Sequence, residues 1–230
     1  MRKIQMIATD IDFTLTDAYM RLDTRVIGKI RALEAQGVNV ILVSGRNLAA
    51  TGSLAQLIGT CGLVAAENGG VIARYQRPIK ILGGIENARA AFRMLKKRMG
   101  RKVVERADSR YGMRLSDVSL ERSFEPEEGR KILEKSGMKV QLVDTGVSFQ
   151  LLDAHVDKGY ALVQLARLKR LSAARAAAIG DNYNDLDLFR EAGYKIAVAN
   201  APEEVKEHAD YVCKHSYGRG FLEAVAHIGL

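Results

Sequence analysis

A chain of 230 residues with 47% hydrophobic and 27% charged residues can bury a substantial core, as one domain or as a core with a smaller module, and is too apolar to be disordered throughout. No apolar run reaches membrane-spanning length, and the short stretch 4–8 behind Met1-Arg2-Lys3 is cut off by Asp10, so a cytoplasmic setting is expected, with neither membrane anchor nor secretory leader. The net charge of +8 suits an anionic ligand, while Cys61 and Cys213 show no ligand spacing or disulfide pattern and fit a reducing compartment.

Residues 4–11 read as a buried strand. Thr24 is placed to cap a helix running to about Gln36, with Gly37 beyond its end. The unbroken apolar run 38–43 suits a parallel strand covered on both faces. A helix over about 47–58 and a strand at 63–66 follow, ending in Glu67-Asn68-Gly69-Gly70. This alternation is the signature of an open parallel sheet. From Val71 the pattern changes. Strands at 71–75 and 79–82 flank Gln76-Arg77-Pro78, a helix spans 85–99, and strands are predicted at 102–106 and 111–115. Pro126 sits in the first turn of a helix over 127–136, followed by strands at 140–143 and 148–152. Short strands with two helices indicate an inserted α+β module over 81–155, leaving 1–80 and 156–230 as the two parts of the core. After Asp157 the alternation resumes: helix 158–170, strand 176–179, helix 184–191, strand 195–198, a helix opened by Pro202, strand 210–212 and helix 219–228.

Residues 74–135 hold 17 Lys/Arg against 9 Asp/Glu, a surplus equal to the net charge of the whole chain. It reads either as a solvated surface or as attraction of an anionic ligand towards the inserted module. Nucleic-acid binding is not expected, because the segment has neither a recognisable motif nor interleaved aromatics.

Four clusters fall where strands give way to loops. The first pairs Asp10 and Asp12 at the end of the first strand, the edge where open parallel sheets bind ligands. Asp10 suits a nucleophile attacking phosphorus, and Asp12 suits an acid/base that protonates the leaving alcohol and then activates water. Two neighbouring carboxylates also call for a cation. The second is Ser44-Gly45-Arg46: a hydroxyl donor for a phosphoryl oxygen, a glycine permitting close backbone approach, and an arginine placed to pair with substrate or position the cover. The third is Lys158, whose place at a helix start opposes the helix dipole unless it neutralises Asp10 and a phosphoryl group. The fourth is Gly180-Asp181-Asn182-Tyr183-Asn184-Asp185, with oxygen donors suited to Mg²⁺ and Asn184 able to orient a ligand or the lysine. Each has a plainer reading alone: an acidic turn, a helix cap, a solvated lysine, a capped loop. Together they describe one phosphoryl-transfer site.

With these motifs the chain resembles the haloacid dehalogenase superfamily of phosphohydrolases, whose DxDxT pattern is Asp10-Ile11-Asp12-Phe13-Thr14 and whose GDxxxD pattern spans Gly180 to Asp185. The resemblance implies an α/β fold, a Rossmann-like parallel-sheet core of the haloacid dehalogenase type with an inserted α+β cap domain. It implies catalysis by Asp10, Asp12, Ser44 and Lys158. Substrate contacts would come from Ser44, Gly45, Arg46, Lys158 and Asn184, and Mg²⁺ would be held by Asp10, Asp181, Asp185 and the Asp12 backbone carbonyl. Glu67-Asn68-Gly69-Gly70 and Tyr211…Ser216-Tyr217-Gly218 make it look like the archaeal type of phosphoglycolate phosphatase, implying hydrolysis of 2-phosphoglycolate to glycolate and phosphate. A sugar-phosphate or other small-metabolite phosphatase is the alternative, and a phosphoaspartate signalling receiver a distant one. The expected partner is a small anionic phosphorylated metabolite, with no membrane and no nucleic acid, in a monomer or homodimer. Phe13 departs from the glycine common after the second aspartate. It is strained if the backbone there takes positive φ, which bears on lid fit more than on phosphoryl transfer. Arg106 and Arg110 are basic candidates for a substrate carboxylate. His155, at the module boundary, could approach substrate but reads more readily as a packed or surface residue, and Tyr217-Gly218 could shape a loop near the site but reads more readily as structural packing.

Overall fold

Runs of consecutive apolar residues build the central strands of the computed structural model, which describes residues 4–230; Met1-Arg2-Lys3 lie outside the described residues. The chain runs through β1 (Met6–Thr9), α1 (Thr24–Ala35), β2 (Asn39–Val43), α2 (Leu48–Ile58), β3 (Leu63–Ala66), β4 (Val71–Arg74) and β5 (Arg77–Ile81). It continues through α3 (Ile85–Met99), α4 (Ala107–Arg110), β6 (Val118–Leu120), α5 (Pro126–Ser136), β7 (Val140–Asp144) and β8 (Phe149–Asp153). The last third is α6 (Lys158–Leu168), β9 (Ala176–Gly180), α7 (Leu186–Glu191), β10 (Tyr194–Ala197), α8 (Glu203–Lys206), β11 (Tyr211–Val212) and α9 (Tyr217–His227).

Among the described residues one sheet has the order β11-β10-β9-β1-β2-β3-β4-β5 and a second has β6-β8-β7. The large sheet is parallel from β11 to β3, while β4 and β5 extend it antiparallel. Alternation within the strands fills both faces. Ile7, Leu42 and Ile179 pack with α1, α2 and α9 on one side, and Met6, Ile41 and Ala178 pack with α6, α7 and α8 on the other. From β1 the chain first builds towards β3, then returns to add β9 on the opposite side. The boundary between β1 and β9 is therefore a switch point, where crevices open at strand carboxyl ends.

The second sheet is the heart of the inserted cap. Phe149 and Leu151 of β8 point into a small core with Ala91 and Leu95 of α3 and Leu133 of α5. By the two-residue period of a strand, Gln150 turns to the other face, towards the large sheet. Two expected strands did not form here. Residues 102–106 contribute an isolated bridge, Glu105 to Leu120, and 107–115 coils through α4 and a turn. The turn returns Arg114 to Asp108 at 2.8 Å, while Asp117 accepts from the same guanidinium at 2.9 Å, an arrangement an extended strand cannot reach. The strand beside β8 is β6 instead. At α1 the capping side chain is Asp23, which accepts from the Arg25 amide, rather than Thr24.

Candidate active site

Asp10 follows β1 and Asp181 follows β9, and the two strands pair in parallel with Thr9 opposite Ile179. Ser44 follows β2 on the other flank of β1. Adjacency of these strands, not closeness in sequence, gathers the motifs. Lys158 enters from the first turn of α6, where Asp157 caps the helix by accepting from the Tyr160 amide at 2.6 Å. The Lys158 ammonium is 1% exposed and donates to Asp10 Oδ1 and Asp185 Oδ1, each at 2.6 Å. The unfavourable helix dipole is thus offset by two carboxylates. The other Asp185 oxygen accepts from the amides of Asp181 and Asn182 at 3.0 Å, so this residue also shapes its own loop. Thr14 donates to Asp181 Oδ1 at 2.6 Å and fixes that carboxylate's rotation.

Asp10, Asp181 and Asp185 each offer an oxygen, all within 4.8 Å of one another, and all three residues are buried. Burial raises the Asp10 carboxyl well above its ordinary value even though Lys158 acts to lower it. Burial and the nearby Asp185 charge push Asp181 up to about 7. Burial by itself would lower the Lys158 pKa, but Asp10 and Asp185 outweigh it and keep the ammonium charged. One ammonium does not balance three carboxylates, and the hard oxygen donors fit Mg²⁺. The Asp12 carboxylate is not part of this cluster. It accepts from Arg46 Nε at 3.0 Å and Nη2 at 2.6 Å, so Arg46 is committed to the acid/base candidate.

Phe13 has φ +62°, the left-handed conformation that strains a bulky side chain. Asn200 braces it by donating to the Phe13 carbonyl at 2.9 Å while accepting from the Tyr217 amide at 2.9 Å. Tyr217 thereby braces the loop that follows Asp10 through its backbone. Above the strand ends, core and cap enclose a cavity of about 270 Å³ lined by Asp10, Asp12, Arg46 and Asn184 from below and by Arg106 and Gln150 from the cap. Asn184 donates to Asn68 Oδ1 at 2.9 Å, not to the lysine's carboxylate partners. Arg110 is exposed and bonds the Glu105 carbonyl, and His155 is exposed beside Tyr160, so neither lines this cavity.

The family model for haloacid dehalogenase-like hydrolases matches residues 7–113 and 125–225. The chain belongs to this family. The hydrolase is 42% identical over 231 residues to the phosphoglycolate phosphatase of Archaeoglobus fulgidus, with 100% of this chain and 99% of that protein covered. It is 37% identical over 223 residues to the phosphoglycolate phosphatase of Methanoculleus marisnigri, covering 96% and 95% of the two chains. The crystal structure of Thermoplasma acidophilum protein 0175 superposes with a TM-score of 0.86 at 26% identity, covering 99% of both chains. The α/β core and inserted cap expected from the sequence are both present.

Several residues that organise the hydrolase site lie outside the four catalytic clusters. Glu67 is buried and accepts from the Leu115 and Ser116 amides at 2.9 and 2.8 Å and from the Ser116 hydroxyl at 2.8 Å, tying core to cap. Arg114 donates to the Gly45 carbonyl at 3.2 Å while held by Asp108 and Asp117. Gln150 signals itself only as a glutamine inside an otherwise apolar strand, whereas Glu67 and Asn68 stand in the Glu67-Asn68-Gly69-Gly70 segment that follows β3.

Proposed function

We propose that the chain is a magnesium-dependent phosphomonoesterase that carries the phosphoryl group on Asp10, with 2-phosphoglycolate as its substrate, releasing glycolate and phosphate. The observation that carries this reading is the convergence of Asp10, Lys158, Asp181 and Asp185 at one sheet edge beneath a cap. Asp10 attacks phosphorus, and the ester P–O bond breaks as the P–O bond to Asp10 forms. Asp12 gives its proton to the leaving oxygen. It then takes a proton from water, whose oxygen attacks phosphorus and frees Asp10, so phosphate leaves with that oxygen and both aspartates are restored. Lys158 and the Ser44 hydroxyl hold the phosphoryl oxygens, and Arg46 fixes the orientation of the Asp12 side chain at the cavity. Held by Asp10, Asp181 and Asp185, Mg²⁺ would neutralise charge on the phosphoryl group.

The small cavity and the relatives named for phosphoglycolate support the substrate assignment. Arg106 faces the cavity with one nitrogen on Glu121 at 2.9 Å and no partner for Nε or Nη2 among the described residues, as a recipient for a carboxylate would be. The same reading takes 1–80 and 156–230 as catalytic core and 81–155 as cap. It sets the protein in the cytoplasm, in keeping with two unpaired thiols. Among the described residues no helix is long and apolar enough to cross a membrane. The test is phosphate release by purified protein from 2-phosphoglycolate and a set of sugar phosphates, with and without Mg²⁺. Asp10→Asn is expected to cut turnover by about 10⁴-fold or more with an unchanged circular dichroism spectrum. Equal rates across unrelated sugar phosphates would overturn the substrate, and substantial turnover by Asp10→Asn the nucleophile.

A further inference from the structure

The cap touches the Ser44 loop at one backbone group. The Gly45 carbonyl accepts from Gln150 Nε2 at 2.8 Å and from Arg114 Nη1 at 3.2 Å, and both donors belong to the cap. That carbonyl shares a rigid peptide plane with the Arg46 amide, which points the opposite way and donates to Ser44 Oγ at 3.1 Å. An oxygen already accepting from an amide keeps its own proton for another acceptor. Ser44 Oγ donates to no partner among the described residues, so that proton is available to a phosphoryl oxygen.

Gln150 is itself aimed. Asn184 donates to Asn68 Oδ1, Asn68 donates to Gln150 Oε1, and Gln150 donates to Gly45. The polarity of this relay is fixed at its end, because a backbone carbonyl only accepts. Gly45 makes room for it: a Cβ there would lie 3.2 Å from Gln150 Nε2 and 3.3 Å from Asn68 Nδ2.

We propose that Gln150 is a positioning residue for Ser44, orienting the 45–46 peptide from the cap so that the serine hydroxyl is aimed at the phosphoryl group only while the cap rests on the core. This rests on the phosphatase reading, in which Ser44 holds phosphate. It differs from a leaving-group contact because its effect falls on the phosphate half of any substrate.

The test is a double-mutant cycle on the full chain, with 2-phosphoglycolate and p-nitrophenyl phosphate as substrates and inorganic phosphate as inhibitor. Gln150→Met is expected to lower kcat/KM about tenfold on both substrates, the scale of one hydrogen bond, and to raise the phosphate inhibition constant similarly. In a Ser44→Ala background the same change should cost less than about twofold. Gln150→Glu keeps the acceptor for Asn68 but cannot donate to Gly45, and should repeat the loss if the methionine variant does not fold. Equal losses in both backgrounds, or a loss confined to 2-phosphoglycolate, would overturn the proposal while leaving the phosphatase reading intact. Phosphate release unaffected by Ser44→Ala would remove the serine's role and the proposal with it.

Discussion

Replacing Lys158 with methionine tests the electrostatic design of the site. The ammonium is buried and makes two 2.6 Å contacts, so its loss leaves Asp10, Asp181 and Asp185 without their internal counter-charge. Removing one partner of a buried pair costs about 3–5 kcal/mol, or on the order of 10 °C in Tm for a chain of this size. Lys158 lowers the pKa of both Asp10 and Asp181, so without it both rise further above their unfolded values. A carboxyl with a raised folded-state pKa binds its proton more tightly when folded. Its contribution to stability is present at low pH and is lost as pH climbs from about 3.8 through about 7. The Tm deficit of Lys158→Met relative to the parent should therefore be small near pH 5 and grow towards pH 8. Saturating Mg²⁺ should recover part of it. The assay is thermal unfolding across that range in EDTA and in Mg²⁺, beside phosphate release, which should fall by about 10²–10³-fold. A deficit constant in pH and indifferent to Mg²⁺ would refute the claim that Lys158 acts as counter-charge to this cluster.

Mg²⁺ and protons compete for the same oxygens, and Asp181 is pushed up to about 7. The dissociation constant for Mg²⁺ by calorimetry should weaken as pH falls below 7, by up to about tenfold per unit, and a flat profile down to pH 5.5 would contradict the assignment. Arg106→Ala should raise KM for 2-phosphoglycolate about tenfold and affect p-nitrophenyl phosphate much less, since the lost contact is to the carboxylate. Equal effects on the two substrates would remove Arg106 from leaving-group recognition. Phe13→Gly relieves a left-handed conformation costing about 1–2 kcal/mol and should raise Tm by a few degrees. A fall in Tm would mean that ring packing outweighs the strain.

Three parts of the candidate site were legible in the sequence because Asp10, Ser44 and Asp181 each mark the end of a buried strand. Once Asp10, Ser44 and Asp181 sit at carboxyl ends, a parallel sheet brings them together whatever their separation in the chain. Lys158 was legible for a different reason: a lysine opposing a helix dipole needs an explanation, and Asp10 and Asp185 provide it. What stayed hidden depends on contacts between residues distant in the chain or on local competition between neighbours. The sequence leaves Arg46 open to substrate or cap, and the three-dimensional arrangement pairs it with Asp12. Residues 102–106 and 111–115 looked extended because Val103, Val104 and Tyr111 are residues that strands favour. The ion pairs joining Arg114 to Asp108 and Asp117 prevailed over that local preference. The adjacent Asp23 and Thr24 can both cap a helix, and aspartate is the stronger of the two, which is the cap that forms.

Backbone strain follows the same boundary. Phe13, Glu67 and Asn68 all have positive φ, between +51° and +62°, and all lie in loops that carry or brace the site. Such conformations cost about 1–3 kcal/mol each and persist only where the surroundings hold them. Asn200 holds Phe13. Glu67 is held by three hydrogen bonds from residues 115 and 116, and Asn68 by its place between Asn184 and Gln150. The partners of Glu67, and Gln150 beside Asn68, are contributed by the cap rather than the core. The segment 67–68 thus has a left-handed conformation, unfavourable for Glu67 and tolerated by Asn68, that the docked cap stabilises. The joint between the two units therefore also reaches the candidate site: Gln150, which meets Asn68 across it, is the residue proposed to aim the Ser44 loop.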